Sequence, residues 1–196
     1  MLKMLWISVS VVLIVSIALI IVSFTNSKIE TPKYKVLATY GDVEIRRYPK
    51  MVVAKTNLSE KSFDSEANNG FRTIASYIFG GNEKNEKIAM TAPVVMNMGD
   101  TASMYFVMPS SYEKESLPKP NSSAVQIVEE SEKTLAVITY GGFSSDEKIE
   151  KHRKLLEKTL KEQNIETKGA YLYMGYNAPW DVLKRRNEVA VEISFE

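Results

Sequence analysis

His152 is the only histidine among 196 residues, and the chain has no cysteine. Those two facts remove most side-chain chemistry. No thiolate nucleophile, disulfide or cysteine-zinc site can form, and nitrogen and sulfur ligands are too few for a structural zinc. No serine stands in a nucleophile elbow, no glycine-rich loop is laid out for phosphate, and no histidine pairs with a carboxylate. The pair Glu129-Glu130 falls at a turn. The chain reads as a non-enzyme, and binding chemistry is what remains. Nine methionines offer thioethers, but methionine is a common core filler, with Met90 the best-placed exception. Tyr171 and Tyr173 share a strand face and Tyr176 opposes them. Tyrosine can flank a flat ring, although strands favour it anyway. Arg185-Arg186-Asn187-Glu188 has the donors to clamp carboxylates, but reads more simply as fixing the last turn through ion pairs and amide hydrogen bonds. His152 follows Ile149 by three and precedes Leu156 by four, so it reads as a half-buried helix residue.

The elements that carry these residues come twice. Val43–Tyr48 and Met51–Leu58 read as extended, 62–79 as helical, and Ile88–Met98 and Ser103–Pro109 as extended again. The second pass is Ala124–Glu129, Thr134–Tyr140, a helix over 145–164, Ala170–Tyr176 and Glu188–Phe195. Two strand-strand-helix-strand-strand units cannot bury their apolar faces alone, so they close on a shared core in an α+β fold. Grooves between helices and sheet are where small apolar ligands sit. Tyr40-Gly41-Asp42 is a turn signal opening the first hairpin, and Pro49 marks a corner. The first helix has Phe63, Ala67, Phe71, Ile74, Ala75 and Ile78 at helical spacing and ends at Gly80-Gly81. The second opens on Ser144-Ser145-Asp146-Glu147, read as a capping box with Ser144 at the cap. Ile88, Met90, Ala92, Val94, Met96 and Met98 alternate onto one strand face.

The first 27 residues are a different material. Met4–Phe24 is 21 residues without a charge, and about 20 apolar residues cross a bilayer. A signal peptide is the rival, but its apolar core is usually about 7–15 residues, and no Ala-x-Ala site follows here. The expectation is residues 1–27 as an uncleaved single-pass anchor, 28–35 as a tether and 36–196 as the domain. Membrane sidedness is unreadable, because Lys3 faces Lys28, Lys33 and Lys35 across the run. Lys3 is the only charge in the anchor, so the rest carries 24 basic and 24 acidic residues. Such a neutral body is a poor nucleic-acid binder. It is expected to be a monomer, with no protein partner named by its sequence.

Four segments together resemble the SOUL haem-binding protein family. They are Val43-Glu44-Ile45-Arg46-Arg47-Tyr48-Pro49; Gly70-Phe71 through Tyr77-Ile78 to Gly80-Gly81-Asn82; Lys87-Ile88-Ala89-Met90-Thr91-Ala92-Pro93-Val94; and Gly175-Tyr176-Asn177 with Pro179, followed by Arg185-Arg186-Asn187-Glu188-Val189. Their order and spacing match over residues 34–195. The resemblance implies a distorted eight-stranded antiparallel barrel with two main helices. It also implies haem or another tetrapyrrole in an apolar groove along the first helix. Some relatives have a histidine, considered a haem ligand, where Arg47 stands, and some have basic residues where this chain has Asn68 and Ser76. Arg72 is the only base left on that helix. Haem would therefore be held without a strong axial ligand. The candidate contact residues are Phe71, Arg72, Ile74, Ala75, Ile78, Met90, Tyr173 and Tyr176. The expected role is a membrane-anchored haem binder for buffering or transport. The alternatives are a scaffold that has lost haem and a binder of another flat amphipathic molecule.

Overall fold

The computed structural model describes residues 29–178, 181 and 183–195. The run Met4–Phe24, expected as an anchor, lies outside the described residues, and no helix among those described is long and apolar enough to cross a membrane. The elements are β1 (Lys35–Tyr40), β2 (Val43–Tyr48), β3 (Met51–Asn57), α1 (Phe63–Ile78), β4 (Val94–Asn97), β5 (Ser103–Val107), β6 (Gln126–Glu130), β7 (Lys133–Gly141), α2 (Asp146–Glu162), β8 (Thr167–Gly175) and β9 (Arg186–Ile193).

The repeat is present, and its halves are interlocked. All nine strands form one antiparallel sheet in the order β1-β2-β7-β9-β8-β4-β5-β3-β6. Outward from the central β4–β8 pair, β5, β3 and β6 on one side match β9, β7 and β2 on the other. Each repeat thus lends its first strand to the other: β2 pairs with β7 and β6 with β3. Only Pro49 and Lys50 separate β2 from β3, which lie far apart in the sheet order. Adjacent Cα atoms are about 3.8 Å apart, so Tyr48 and Met51 stand within about 11 Å. The sheet must curl until its ends approach.

The curl stops at a half-barrel of nine strands with free edges at β1 and β6, where a distorted eight-stranded barrel was expected. The ninth strand is β1. Its partner is β2, through a turn with Gly41 at φ +60°, a conformation glycine adopts without penalty. Gly41 therefore does not open a β2–β3 hairpin, as read from the sequence. The strand expected over Ile88–Met98 shrinks to Val94–Asn97. Pro93 follows a cis bond and has no N–H for a ladder. Upstream, the Ile88 N–H donates to the Ile78 carbonyl at 2.8 Å and the Thr91 hydroxyl to the Val107 carbonyl.

Both helices cover one face of the sheet. α1 packs Ile74, Tyr77 and Ile78 on Ala54, Met104 and Phe106. Gly70 permits the approach, since a Cβ there would stand 2.7 Å from Leu58 Cδ2 and 3.1 Å from Met104 Sδ. α2 packs Ile149, Leu156 and Leu160 on Ile45, Val189 and Val191. The other face is enclosed by the curl, with Val53, Val95, Tyr105, Val137, Leu172 and Ala190 at its centre.

Ser62 caps α1 by accepting from the Ser65 N–H. Ser145, not Ser144, caps α2: its backbone is extended at φ −151°, and its hydroxyl accepts from the Lys148 N–H. The Ser144 hydroxyl instead pairs with Tyr140 at 2.9 Å. The two helix starts lock together. The Asp146 carboxylate accepts from the Ser62 hydroxyl at 2.6 Å and the Phe63 N–H at 2.7 Å. Asp64 accepts from the Asp146 N–H at 3.4 Å. Asp146→Ala strips the first turn of α1 of this acceptor and should cost about 1–2 kcal/mol, the usual range for a lost cap. Urea unfolding of the variant checks this, with Asp146→Asn expected to fall between it and the parent.

Candidate ligand-binding site

Six of the eight residues singled out gather around α1. Ile74, Ala75 and Ile78 are buried, and Ile74 has no exposed surface. Phe71 is half-buried with its ring 5.3 Å from that of Phe106. Met90 packs at the edge of the same cluster, and Arg72 is exposed. The stripe is therefore mostly spent on the core, and Ala75, 7% exposed, leaves little room for a ring beside it.

The two tyrosines stand elsewhere. Tyr173 belongs to the α2 cluster, donates to Asn187 Oδ1 at 2.9 Å and meets Phe63 at the start of α1, ring to ring at 4.7 Å. Tyr176 lies on the enclosed face, where its hydroxyl donates to Glu188 Oε2 at 2.8 Å. The strand alternation that separates them was readable, but their distance from α1 follows from the sheet order.

The open surface of α1 is its other margin. Arg72, Ser76 and Phe79 recur at helical spacing, and all three are exposed, Phe79 by 58%. Seven residues rise about 10 Å, so a guanidinium and a phenyl ring bracket a small serine. Phe79 was missed because it lies past the buried stripe; its spacing from Arg72 was the available signal. Phe79 is positioned by the turn that follows. Gly80 has φ +112°, and a Cβ on Gly81 would meet the Ser76 carbonyl oxygen at 2.5 Å.

His152 is on α2, stacked on Tyr140 with centroids 3.9 Å apart and 11° between planes. Its Nδ1 is 2.7 Å from the Lys148 carbonyl. Among the described residues no cluster of three or more His, Cys, Asp or Glu is placed to hold a metal ion.

A second polar group lies on the enclosed face, and the part played in it by Arg46, Tyr48 and Thr139 was missed. Glu188 has no exposed surface. It accepts from Arg46 Nη1 at 2.9 Å, Arg186 Nη2 at 2.6 Å, Thr139 Oγ1 at 3.2 Å and the Tyr176 hydroxyl. Burial works against the charge on Arg46, and Glu188 with the Tyr48 hydroxyl outweighs it, holding the guanidinium above its usual range. Burial pushes the Tyr48 hydroxyl up to about 12. Tyr34 closes the group from outside, under the Arg46 guanidinium at 4.5 Å and 5.1 Å from the Tyr48 ring. Arg186-Asn187-Glu188 thus fixes the start of β9, as read from the sequence, with the Asn187 amide donating to the Gly142 carbonyl at 2.8 Å.

Two interlocked repeats on a curled sheet, with a helix over each half, define a class of two-repeat fold. The C-terminal domain of EcmrR shares it at a TM-score of 0.61, covering 83% of this chain and 99% of that one at 10% identity. So does a hydrolase from Listeria innocua, at 0.56, covering 81% and 94% at 12% identity. At such identities the likeness is one of fold alone. Sequence goes further. A family model described as SOUL heme-binding protein matches residues 29–192. Heme-binding protein 2 of Homo sapiens is 33% identical over 174 residues, covering 82% of this chain and 84% of that protein. Heme-binding protein 1 of Xenopus laevis is 28% identical over 154 residues, covering 74% and 80%. The chain belongs to the SOUL heme-binding protein family.

Proposed function

We propose that the chain binds haem or another tetrapyrrole against the outer margin of α1 and works as a membrane-tethered buffer or carrier of it, without catalysis. Family membership over residues 29–192 is the observation that carries this reading. The geometry of α1 supports the place. Phe79 and the half-buried edge of Phe71 offer apolar contact, and Arg72 stands where a propionate would end. His152, stacked on Tyr140 of the other repeat, is held away from that margin, so iron would lack a strong protein ligand. Haem or a metal-free porphyrin would be gripped by the same contacts, since apolar burial contributes about 25 cal/mol per Å².

Haemin titration of the protein, followed by visible absorption, tests this. Phe79→Ala should weaken binding by about 1.5–3 kcal/mol, the value of a buried aromatic side chain. Arg72→Ala should weaken it by less, at most about 1.5 kcal/mol for an exposed charged contact. His152→Ala should leave both affinity and spectrum unchanged. A low-spin spectrum that vanishes in the His152 variant would sink the proposed place. Tethering rests on Met4–Phe24: the full chain should remain with membranes after carbonate washing, and a chain lacking residues 1–27 should not.

A further inference from the structure

A cleft of about 650 Å³ is bounded by residues 30–33, the β2–β3 corner and the segment after β5. That volume falls within the roughly 300–1,000 Å³ usual for small-molecule sites. Its floor is apolar: Pro49, Met51, Val52, Met108 and Pro109, with Pro32 across from them. Its rim carries charge of both signs. Lys50 is paired with Glu129 at 2.9 Å, whereas Lys33, Lys114, Glu113 and Glu115 are exposed and make no ion pair among the described residues. Tyr112 adds an aromatic wall, its hydroxyl engaged by Glu86 at 2.6 Å.

The wall nearest the chain's apolar run is fixed. The Glu30 carbonyl accepts from the Ala92 N–H at 2.9 Å, and its carboxylate from the Ser110 N–H at 2.8 Å. Glu30 follows Phe24 by six residues, a span of at most about 20 Å fully extended. A chain held in a bilayer by Met4–Phe24 therefore keeps this cleft within reach of lipid headgroups.

We infer that the cleft binds a zwitterionic phospholipid of the host membrane. The inference rests on the tethered reading above. Lys33 and Lys114 meet the phosphate, and Glu113 and Glu115 meet the ammonium. An ammonium also gains from an aromatic face such as that of Tyr112. One acyl chain lies along Met51, Val52, Met108 and Pro109. An anionic lipid would find the two lysines but would be repelled by Glu113 and Glu115, whose charge also acts on Lys50. The site is distinct from the α1 margin, which faces solvent through Arg72 and Phe79.

The test uses the full chain in vesicles of phosphatidylethanolamine and phosphatidylglycerol, doped with phosphatidylethanolamine carrying a diazirine in its acyl chain. Flotation with the vesicles comes first; a chain that fails to float overturns the tethered reading itself. After irradiation, mass spectrometry should place adducts on the floor residues Met51, Val52, Met108 and Pro109. Thr31→Trp fills the cleft from its exposed wall and should cut the yield at least about tenfold, equivalent to 1.4 kcal/mol. Lys33→Glu with Lys114→Glu should also cut it, and haemin affinity should be unchanged in both variants. The inference is overturned if floating protein gives no adducts there, or if Thr31→Trp labels like the parent. Stronger labelling by a phosphatidylglycerol probe would overturn it too. So would haemin blocking the adducts, which would make the cleft the tetrapyrrole site.

Discussion

Glu188→Ala is expected to lower the unfolding free energy by about 3–5 kcal/mol, the range for breaking a buried ion pair by removing one partner. The carboxylate is fully buried and Arg46 is 3% exposed, so the variant leaves a guanidinium in the enclosed face with only the part-exposed Glu44 carboxylate, 2.7 Å from its Nε, as counter-charge. The Tyr176 hydroxyl and Thr139 hydroxyl lose their partner in the same step. Arg186 is 40% exposed and can turn to water, so it adds little. Arg46→Met alone should also destabilise, but by less, because Glu188 keeps Arg186 at 2.6 Å. The double variant Arg46→Met, Glu188→Met should recover much of the loss, because a buried pair replaced by apolar groups of similar volume is often near neutral. Urea denaturation of all three variants gives the cycle. If Glu188→Ala costs under about 1 kcal/mol, water reaches the network and the enclosed face is not closed.

The same network shows why the inside of the sheet was illegible from the sequence. In β2, Val43 and Ile45 are apolar and Glu44 and Arg46 are charged. Such alternation ordinarily marks one buried face and one wet face. Here Val43 and Ile45 lie under α2, while Arg46 points into the closed side and is buried by the curl. Periodicity reports which residues share a face, but not whether that face is enclosed. The exchange of first strands was hidden for the same reason, since a pattern of faces names no neighbour. β1 escaped because no residue of Lys35–Tyr40 is fully buried and the strand directly follows a polar stretch. By contrast, the helix positions and the glycine stop were carried by local signals: the apolar spacing along each helix and Gly80-Gly81 at the end of the first.

The segments that carry the family resemblance turn out to be makers of turns and junctions. Asn177 Oδ1 accepts from the Arg186 N–H at 2.7 Å and ties the ends of β8 and β9. Thr91 and Pro93 shape the approach to β4. Gly70 sets the distance between α1 and the sheet. They therefore specify the family's fold more directly than its ligand, which explains why the fold was legible and the proposed binding margin was so only at Phe71 and Arg72. Phe79 and Arg72 have no local signature beyond their spacing.

Asn82 is where fold and proposed binding meet, and Asn82→Ala is expected to affect both. The residue is 1% exposed. Its amide donates to the Tyr77 carbonyl at 3.1 Å and the Glu86 carbonyl at 2.8 Å, while Oδ1 accepts from the Lys84 N–H at 3.2 Å and the Glu86 N–H at 3.0 Å. One side chain thus builds the whole 82–86 turn and pins it to the last turn of α1. An unpaired buried backbone group costs about 1–3 kcal/mol, and water can reach part of this turn, so the loss should be about 2–3 kcal/mol. Asn82→Asp keeps both accepted bonds and loses both donated ones, and should fall between alanine and the parent. The loosened turn is pinned to Tyr77, two residues before Phe79, so the angle at which Phe79 meets a ring also becomes variable. Haemin affinity should then fall in Asn82→Ala at temperatures where the protein is still fully folded, with Phe79→Ala already having removed that part of the effect. A double variant that binds haemin much more weakly than Phe79→Ala alone would show that Asn82 acts by a route other than the placement of Phe79.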